Sequence, residues 1–121
     1  MDKKLERIRQ VANSHGWSLK CRHVARKNMY VLSFFNNDFL DGFAFSAIVN
    51  DSDDEGIFFG NVAKSIFATW QNFSVEKETE KYLDRIACKS RFSEQANKIY
   101  MDVNHYIYNI YCMYFCLSNK I

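Results

Sequence analysis

The chain has 121 residues, of which 48% are hydrophobic and 17% aromatic, and its net charge is only +2 at neutral pH. This length and apolar content suit one domain with one core. Pro is absent and only four Gly occur, so no stretch is typical of a flexible or polyproline linker. We therefore expect a single domain over residues 1–121.

The N-terminal segment MDKKLERIRQ is highly charged and lacks the apolar run of about 7 to 15 residues that a secretory signal needs. No apolar segment approaches the roughly 20 residues that span a bilayer. These features predict a cytoplasmic protein without membrane contacts. Because such a compartment is reducing, we expect the four cysteines, which form no CxxC pair, to be free and mostly buried. They are Cys21, Cys88, Cys112 and Cys116.

The first half of the chain predicts a helix followed by an antiparallel meander. Residues 2–15 repeat apolar side chains at helical spacing, and Gly16 stands at the expected C-cap. Residues 17–24 alternate as a half-exposed strand, and residues 29–35 and 43–49 are apolar runs of strand length. Residues 57–59 are a possible fourth strand.

The second half predicts three helices. Asn61 is the predicted N-cap of the first, Ser74 of the second, and Ser93 begins the longest, which continues nearly to residue 117. Ile86 is assigned to the inner face of the second helix and Phe92 to the buried stripe of the third. The whole order predicts an α+β fold in which the helices pack on one side of a three-stranded, possibly four-stranded, antiparallel sheet.

Charge is unevenly distributed along the chain. Residues 1–28 carry eight Lys or Arg and two acids, whereas residues 29–60 carry six acids and no Lys or Arg. This contrast indicates either internal ion pairing or a docking surface. Two basic groups are candidates for binding nucleic acid or a partner: Lys20, Arg22, Arg26 and Lys27 in one, and Arg85, Lys89 and Arg91 in the other.

The segment DGFAFSAIV, residues 41–49, partly matches the strand with which RNA-recognition motifs stack bases. Gly42, Phe43 and Phe45 agree with that motif, but Asp41 replaces its basic residue and no helix separates the two strands. The alternative is that both aromatic side chains face the core.

The acidic segment DSDDEG, residues 51–56, begins like a calcium loop, but its twelfth position is Val62 instead of the bidentate Glu. There are two alternatives to a calcium loop: a solvated turn, and an acidic loop that enters a basic groove of a partner. The candidate partner-binding residues of this loop are Asp51, Asp53, Asp54 and Glu55.

No catalytic, cofactor or metal signature is complete, so we assign no catalytic residue, no cofactor and no metal. His105, Cys112 and Cys116 share one helical stripe, but about 16 Å separates the first from the last at 1.5 Å per residue, too far for one ion. A catalytic triad assembled only in space stays an alternative.

The order of a basic helix, a three-stranded meander, an acidic connection and a helical remainder resembles small anti-CRISPR and antirestriction proteins of phages and mobile elements. The segment WQNFSVEKETEKYLD, residues 70–84, is similar to the aromatic helix end and acid-rich helix of such proteins. The resemblance implies stoichiometric binding to an RNA-guided, Cas-type defence nuclease or its guide RNA, in the host cytoplasm if the gene is phage-borne. Since strong acidity is missing, imitation of DNA alone is not expected.

The leading hypothesis is therefore a non-enzymatic binding protein of this inhibitor type. A small RNA-binding module that uses the first basic group is the alternative. A third is a homodimer formed through the C-terminal helix, because the segment NHYIYNIYCMYFCL, residues 104–117, is apolar on more than one face.

Overall fold

The structure is a computed structural model that describes residues 3–36, 43–50 and 54–118. Within these residues the chain forms a helix, an antiparallel sheet in the order β1-β2-β3, and three further helices, which confirms the predicted α+β fold. A short 3-10 turn, Ala25–Lys27, joins the first two strands. The elements are α1 (Lys3–Ser14), β1 (Ser18–Val24), β2 (Met29–Asn36), β3 (Phe43–Asn50), α2 (Glu55–Asn72), α3 (Val75–Arg85) and α4 (Glu94–Ser118).

The helix α1 ends in a glycine-dependent turn. Gly16 has φ +81°, a conformation that residues with a Cβ rarely adopt. Its N–H donates to the carbonyl of Asn13 at 3.2 Å, and the N–H of Trp17 donates to the carbonyl of Ala12 at 2.9 Å. This pair of bonds is a Schellman motif, which satisfies carbonyls that the end of the helix leaves open. It directs Trp17 into the core, where its side chain is 1% exposed.

The register of the sheet separates an inner face from an open face. Leu19 pairs with Phe34, and Phe34 pairs with Phe45, so side chains at these positions lie on the same face. The helix α1 contacts β1 and α2 contacts β3 on this inner side. The buried residues of the three strands all belong to the inner face: Leu19, Leu32, Phe34, Asn36, Ala47 and Val49.

The predicted fourth strand at residues 57–59 and the predicted cap at Asn61 are both wrong. The carboxylate of Asp54 accepts the N–H of Ile57 at 2.9 Å and caps a helix that already begins at Glu55. Phe58 and Phe59 are buried in its first turns, with Val62, Ala63 and Ile66 buried further along. That spacing of i, i+1, i+4, i+5 and i+8 belongs to the inward side of a helix.

The helix α3 begins as predicted, because Ser74 Oγ accepts the N–H of Lys77 at 3.2 Å. Its end differs from the prediction, since Ile86 is the C-cap residue and is 38% exposed. Ala87 follows with φ 56°, and the N–H of Cys88 donates to the carbonyl of Leu83 at 2.9 Å. A second Schellman motif therefore has alanine at the position where glycine is usual.

The helix α4 begins after Ser93, whose Oγ accepts the N–H of Ala96 at 3.2 Å, as predicted. Phe92 precedes this cap and is 94% exposed, so its assignment to the buried stripe is wrong. The helix packs on α2 and also contacts α1 and α3. Its buried residues recur every three or four positions from Val103 onward, and the full set is Ala96, Val103, Ile107, Ile110, Met113 and Leu117.

Candidate functional site

The open face of the sheet carries the side chains of β1, β2 and β3 that point away from the core. This face combines exposed basic and polar side chains with apolar side chains that do not belong to the core. Ile48 is 59% exposed, its partner Val31 is half-buried, and Phe35 is half-buried further along β2. The register places Arg22 opposite Val31, and Val31 opposite Ile48, in one row across all three strands. An antiparallel sheet with one face packed usually turns a polar face to water, so this mixture makes the open face a candidate contact surface.

The first basic group follows this face and its adjoining turn. Lys20 and Arg22 are exposed on the open side of β1, as predicted, and Arg26 and Lys27 are exposed in the turn to β2. The ammonium of Lys20 lies 5.2 Å from the ring centroid of Phe35, within range of a cation–π contact. Among the described residues no carboxylate lies within ion-pair distance of these four side chains. The structure therefore brings this group together as one exposed basic strip.

The two aromatic residues of the RNA-recognition-like segment face the core. Phe45 stacks on Phe34 at 5.0 Å between centroids and meets Trp17 edge-on at 5.5 Å. Phe43 contacts Trp17 and Phe73 edge-on. The core alternative is confirmed for both side chains, so base stacking on this sheet has to use the opposite face.

The acidic loop is only partly described. Asp51 and Asp53 lie outside the described residues. Asp54 is the N-cap of α2, and Glu55, its first residue, is exposed. The end of β3 is nevertheless located, because Asn50 pairs with Met29 beside the basic turn. The chain thus leaves the sheet toward its acidic segment at the same end as Arg26 and Lys27.

The second basic group is divided by a local network. Arg91 Nε donates to Glu80 Oε2 at 2.6 Å, and its other nitrogens donate to Asp84 and to the carbonyl of Cys88. The hydroxyl of Tyr100 donates to Glu80 Oε1 at 2.7 Å. These bonds tie α3, the connecting loop and α4 together and occupy the guanidinium, whereas Lys89 is exposed and Arg85 lies near the ring of Tyr82.

This network predicts an acid-sensitive contribution to stability. Hydrogen bonds from Arg91 and Tyr100 hold the pKa of Glu80 below its usual value of 4.5. A depressed carboxyl pKa stabilises the fold at pH values above that usual value, and the contribution is lost as pH falls through the depressed one. We expect Glu80→Gln to lower the free energy of unfolding at pH 7 and the difference from the parent to shrink toward pH 3, in urea denaturation followed by circular dichroism.

The matched control is Asp102→Asn, which removes a carboxylate from an exposed pair with Lys98 on α4. Its effect at pH 7 should be small, because exposed pairs contribute little. A Glu80→Gln effect of equal size at pH 7 and pH 3 would contradict the assignment.

The two cysteines and the single histidine of α4 are not gathered into a metal-binding group. Among the described residues no group of three His, Cys, Asp or Glu side chains could hold an ion. All four cysteines are free thiols and half-buried, less covered than predicted. Cys116 instead has an unforeseen neighbour, since its Sγ lies 3.9 Å from Nε2 of His15. The two residues are 101 positions apart, so no local pattern in the sequence signals this contact.

A stripe of α4 stays uncovered. Met101, Tyr108 and Phe115, seven residues apart, are 72%, 62% and 55% exposed. The helix is therefore buried on several sides but not all, and the homodimer through this helix stays a prediction. Within the described part of the chain, no helix has both the length and the apolar character needed to cross a membrane.

Comparison with protein-family models finds no match for the chain, and comparisons with curated proteins and with solved structures find none either.

Proposed function

We propose that this chain is a non-enzymatic binding protein, a stoichiometric inhibitor of an RNA-guided, Cas-type defence nuclease. The observation that carries the proposal is the open face of the sheet, which has exposed Lys20 and Arg22 on β1 and exposed Ile48 on β3. The proposal places the protein in the cytoplasm in which such a nuclease works. Inhibition then requires occupancy of the nuclease or its guide complex and no chemical step.

The composition of the open face suits a complementary surface. Apolar side chains at the centre of a contact are desolvated when a partner covers them, and charged side chains around them select the partner by sign. Here Val31, Phe35 and Ile48 supply the apolar part, while Lys20 and Arg22 supply the charge. The rigid ladder of three paired strands fixes their spacing, which lowers the entropic cost of docking.

The sign of the basic strip calls for an anionic partner surface. Lys20, Arg22, Arg26 and Lys27 extend from the open face into the adjoining turn. A nuclease loaded with guide RNA presents both a phosphate backbone and the protein surfaces around it. Basic side chains that contact the phosphates release bound counterions, which favours binding of the basic strip. The likeness of the element order and of residues 70–84 to anti-CRISPR proteins supports this class of target by analogy.

The test is a plasmid-cleavage assay with a panel of purified Cas-type nucleases loaded with guide RNA. We expect cleavage by at least one of them to stop at about one equivalent of the chain. The double variant Lys20→Gln, Arg22→Gln should raise the concentration needed by at least about tenfold, because it removes two contacts of about 1 kcal/mol or more each. Lys81→Gln, Lys98→Gln is the matched control, since it removes the same charge from residues 68% and 81% exposed on α3 and α4.

The acidic loop is tested separately by Asp53→Asn, Asp54→Asn, Glu55→Gln. Asn caps helices about as well as Asp, so this variant keeps the start of α2. Unchanged inhibition by it removes the loop from the binding surface. If the Lys20, Arg22 variant inhibits like the parent, the open face is not the surface used, and if no nuclease of the panel is inhibited, the proposed function fails.

The RNA-binding module is the second candidate, favoured by the contact between Lys20 and Phe35. Filter binding of a labelled 20-nucleotide RNA distinguishes it. Binding to RNA alone would fall steeply with salt, and Lys20→Gln would reduce the slope by about 1. Retention of RNA without inhibition of any nuclease would replace the leading proposal with this one.

A further inference from the structure

The C-terminal part of α4 and the end of α1 enclose an aromatic groove with a thiol at its edge. Its volume is about 300 Å³, at the lower end of the range for small-molecule sites. Cys116 and His15 contact each other there, and both are half-buried. The groove is lined by His15, Tyr108, Tyr111, Cys112, Phe115 and Cys116.

The ring of His15 is oriented by the backbone. Its Nδ1 lies 2.8 Å from the carbonyl oxygen of Val11, which can only accept a hydrogen bond, so Nδ1 carries the proton in the neutral ring. The lone pair of Nε2 then faces Sγ of Cys116 at 3.9 Å. The Val11 carbonyl thus orients the base, and the base lies beside the thiol. Activated nucleophiles show the same order of orienting group, base and nucleophile.

The second cysteine of the groove has a different partner. Cys112 instead interacts with Tyr108, one helical turn away, and this interaction is the largest cause of the raised pKa of the Tyr108 hydroxyl. His15 is within hydrogen-bond range of Cys116. Of the two thiols, Cys116 is thus the one placed beside a base.

We propose that Cys116 is a nucleophilic thiol, with His15 as its base, and that the groove binds a small apolar electrophile of the α,β-unsaturated carbonyl class. The thiol proton passes to Nε2 of His15 as sulfur forms a bond to the β-carbon. The carbon–carbon π bond breaks, and its electrons form the enolate. The α-carbon then takes the proton back from His15, so the addition is redox-neutral and has no leaving group.

The test labels the purified full chain with N-ethylmaleimide at less than one equivalent and maps the adduct by mass spectrometry. We expect Cys116 to take most of the label and to react at least about tenfold faster than Cys88 in the α3–α4 loop. His15→Asn should lower the labelling rate at Cys116 by about 10²-fold, the lower end of what a positioned base contributes. Cys88→Ser, in the loop between α3 and α4 and outside the groove, should leave the rate at Cys116 within about twofold.

A second measurement separates a reactive site from mere exposure. N-phenylmaleimide should give a rate at Cys116 that saturates with concentration, because the aromatic groove binds it first, whereas the rate with iodoacetamide should stay linear. In denaturant all four cysteines should react alike, in the parent and in His15→Asn. Preferential labelling of another cysteine in the folded chain, or a Cys116 rate unchanged by His15→Asn with its native circular dichroism retained, overturns the proposal.

Discussion

Trp17→Ala should lower the free energy of unfolding by about 3–5 kcal/mol, the cost of emptying a large buried aromatic site. The indole is 1% exposed and meets Phe43 and Phe45 edge-on, with ring centroids 6.3 and 5.5 Å away. It stands between α1 and β1 and reaches two side chains of β3. Since small domains are stable by only about 5–15 kcal/mol, this single change removes a large share of the total.

Urea denaturation followed by far-UV circular dichroism measures the effect, and Trp17→Phe is the matched control. Phe keeps an aromatic ring in contact with Phe43 and Phe45, so it should lose clearly less stability than Ala does. A loss below about 1 kcal/mol for Trp17→Ala would contradict the aromatic cluster described for the inner face, because truncation of a packed tryptophan typically costs about 3–5 kcal/mol.

Exchanging the residues at the two Schellman turns should change stability in opposite directions. Gly16→Ala should cost about 1–2 kcal/mol, because an L-residue is strained at φ +81°. Among the described residues, and apart from the two chain neighbours of Gly16, no atom lies within 4 Å of the added Cβ, so the cost is conformational. Ala87→Gly should stabilise the chain by about 0.5–1 kcal/mol, since relief of strain at φ 56° exceeds the added freedom of the unfolded chain.

The shift of the urea midpoint at constant slope measures both variants. Gly16→Asn is the control for the first, because Asn tolerates the left-handed region better than Ala and should lose less. If Ala87→Gly destabilises the chain, the left-handed conformation at that position is not what ends α3.

Regular patterning made the strands and most helices predictable. In β1 apolar and polar residues alternate, so the inward direction of Leu19 follows from the sequence alone. The run of β2 is apolar on both faces, so the burial of Leu32 and Phe34 is known only from the structure. The caps at Ser74 and Ser93 were found for a similar reason, since a short hydroxyl side chain stands directly before helical spacing. The basic strip of the open face was likewise predictable from the outward positions of β1.

The failures are places where a short segment fits two patterns. Ile57, Phe58 and Phe59 form an apolar run of only three residues, too short to distinguish strand from helix, and the capping Asp54 is hidden among other acids. Phe92 stands four positions before Ala96 and so fits the apolar spacing of α4, but it precedes the cap at Ser93. Outside the helix this spacing no longer determines where a side chain points. The pair of His15 and Cys116 depends on how α1 and α4 pack, which no local pattern contains.

The alternation along β1, β2 and β3 has a consequence for how this protein can change over generations. Residues that maintain the fold point inward, and residues available to a partner point outward from the same strands, so the two sets can vary almost independently. Under the proposed function, substitutions at Lys20, Arg22, Val31 or Ile48 would alter recognition while the core stays intact. A lineage that carries this fold would then follow a changing target through many single steps, each of which still folds.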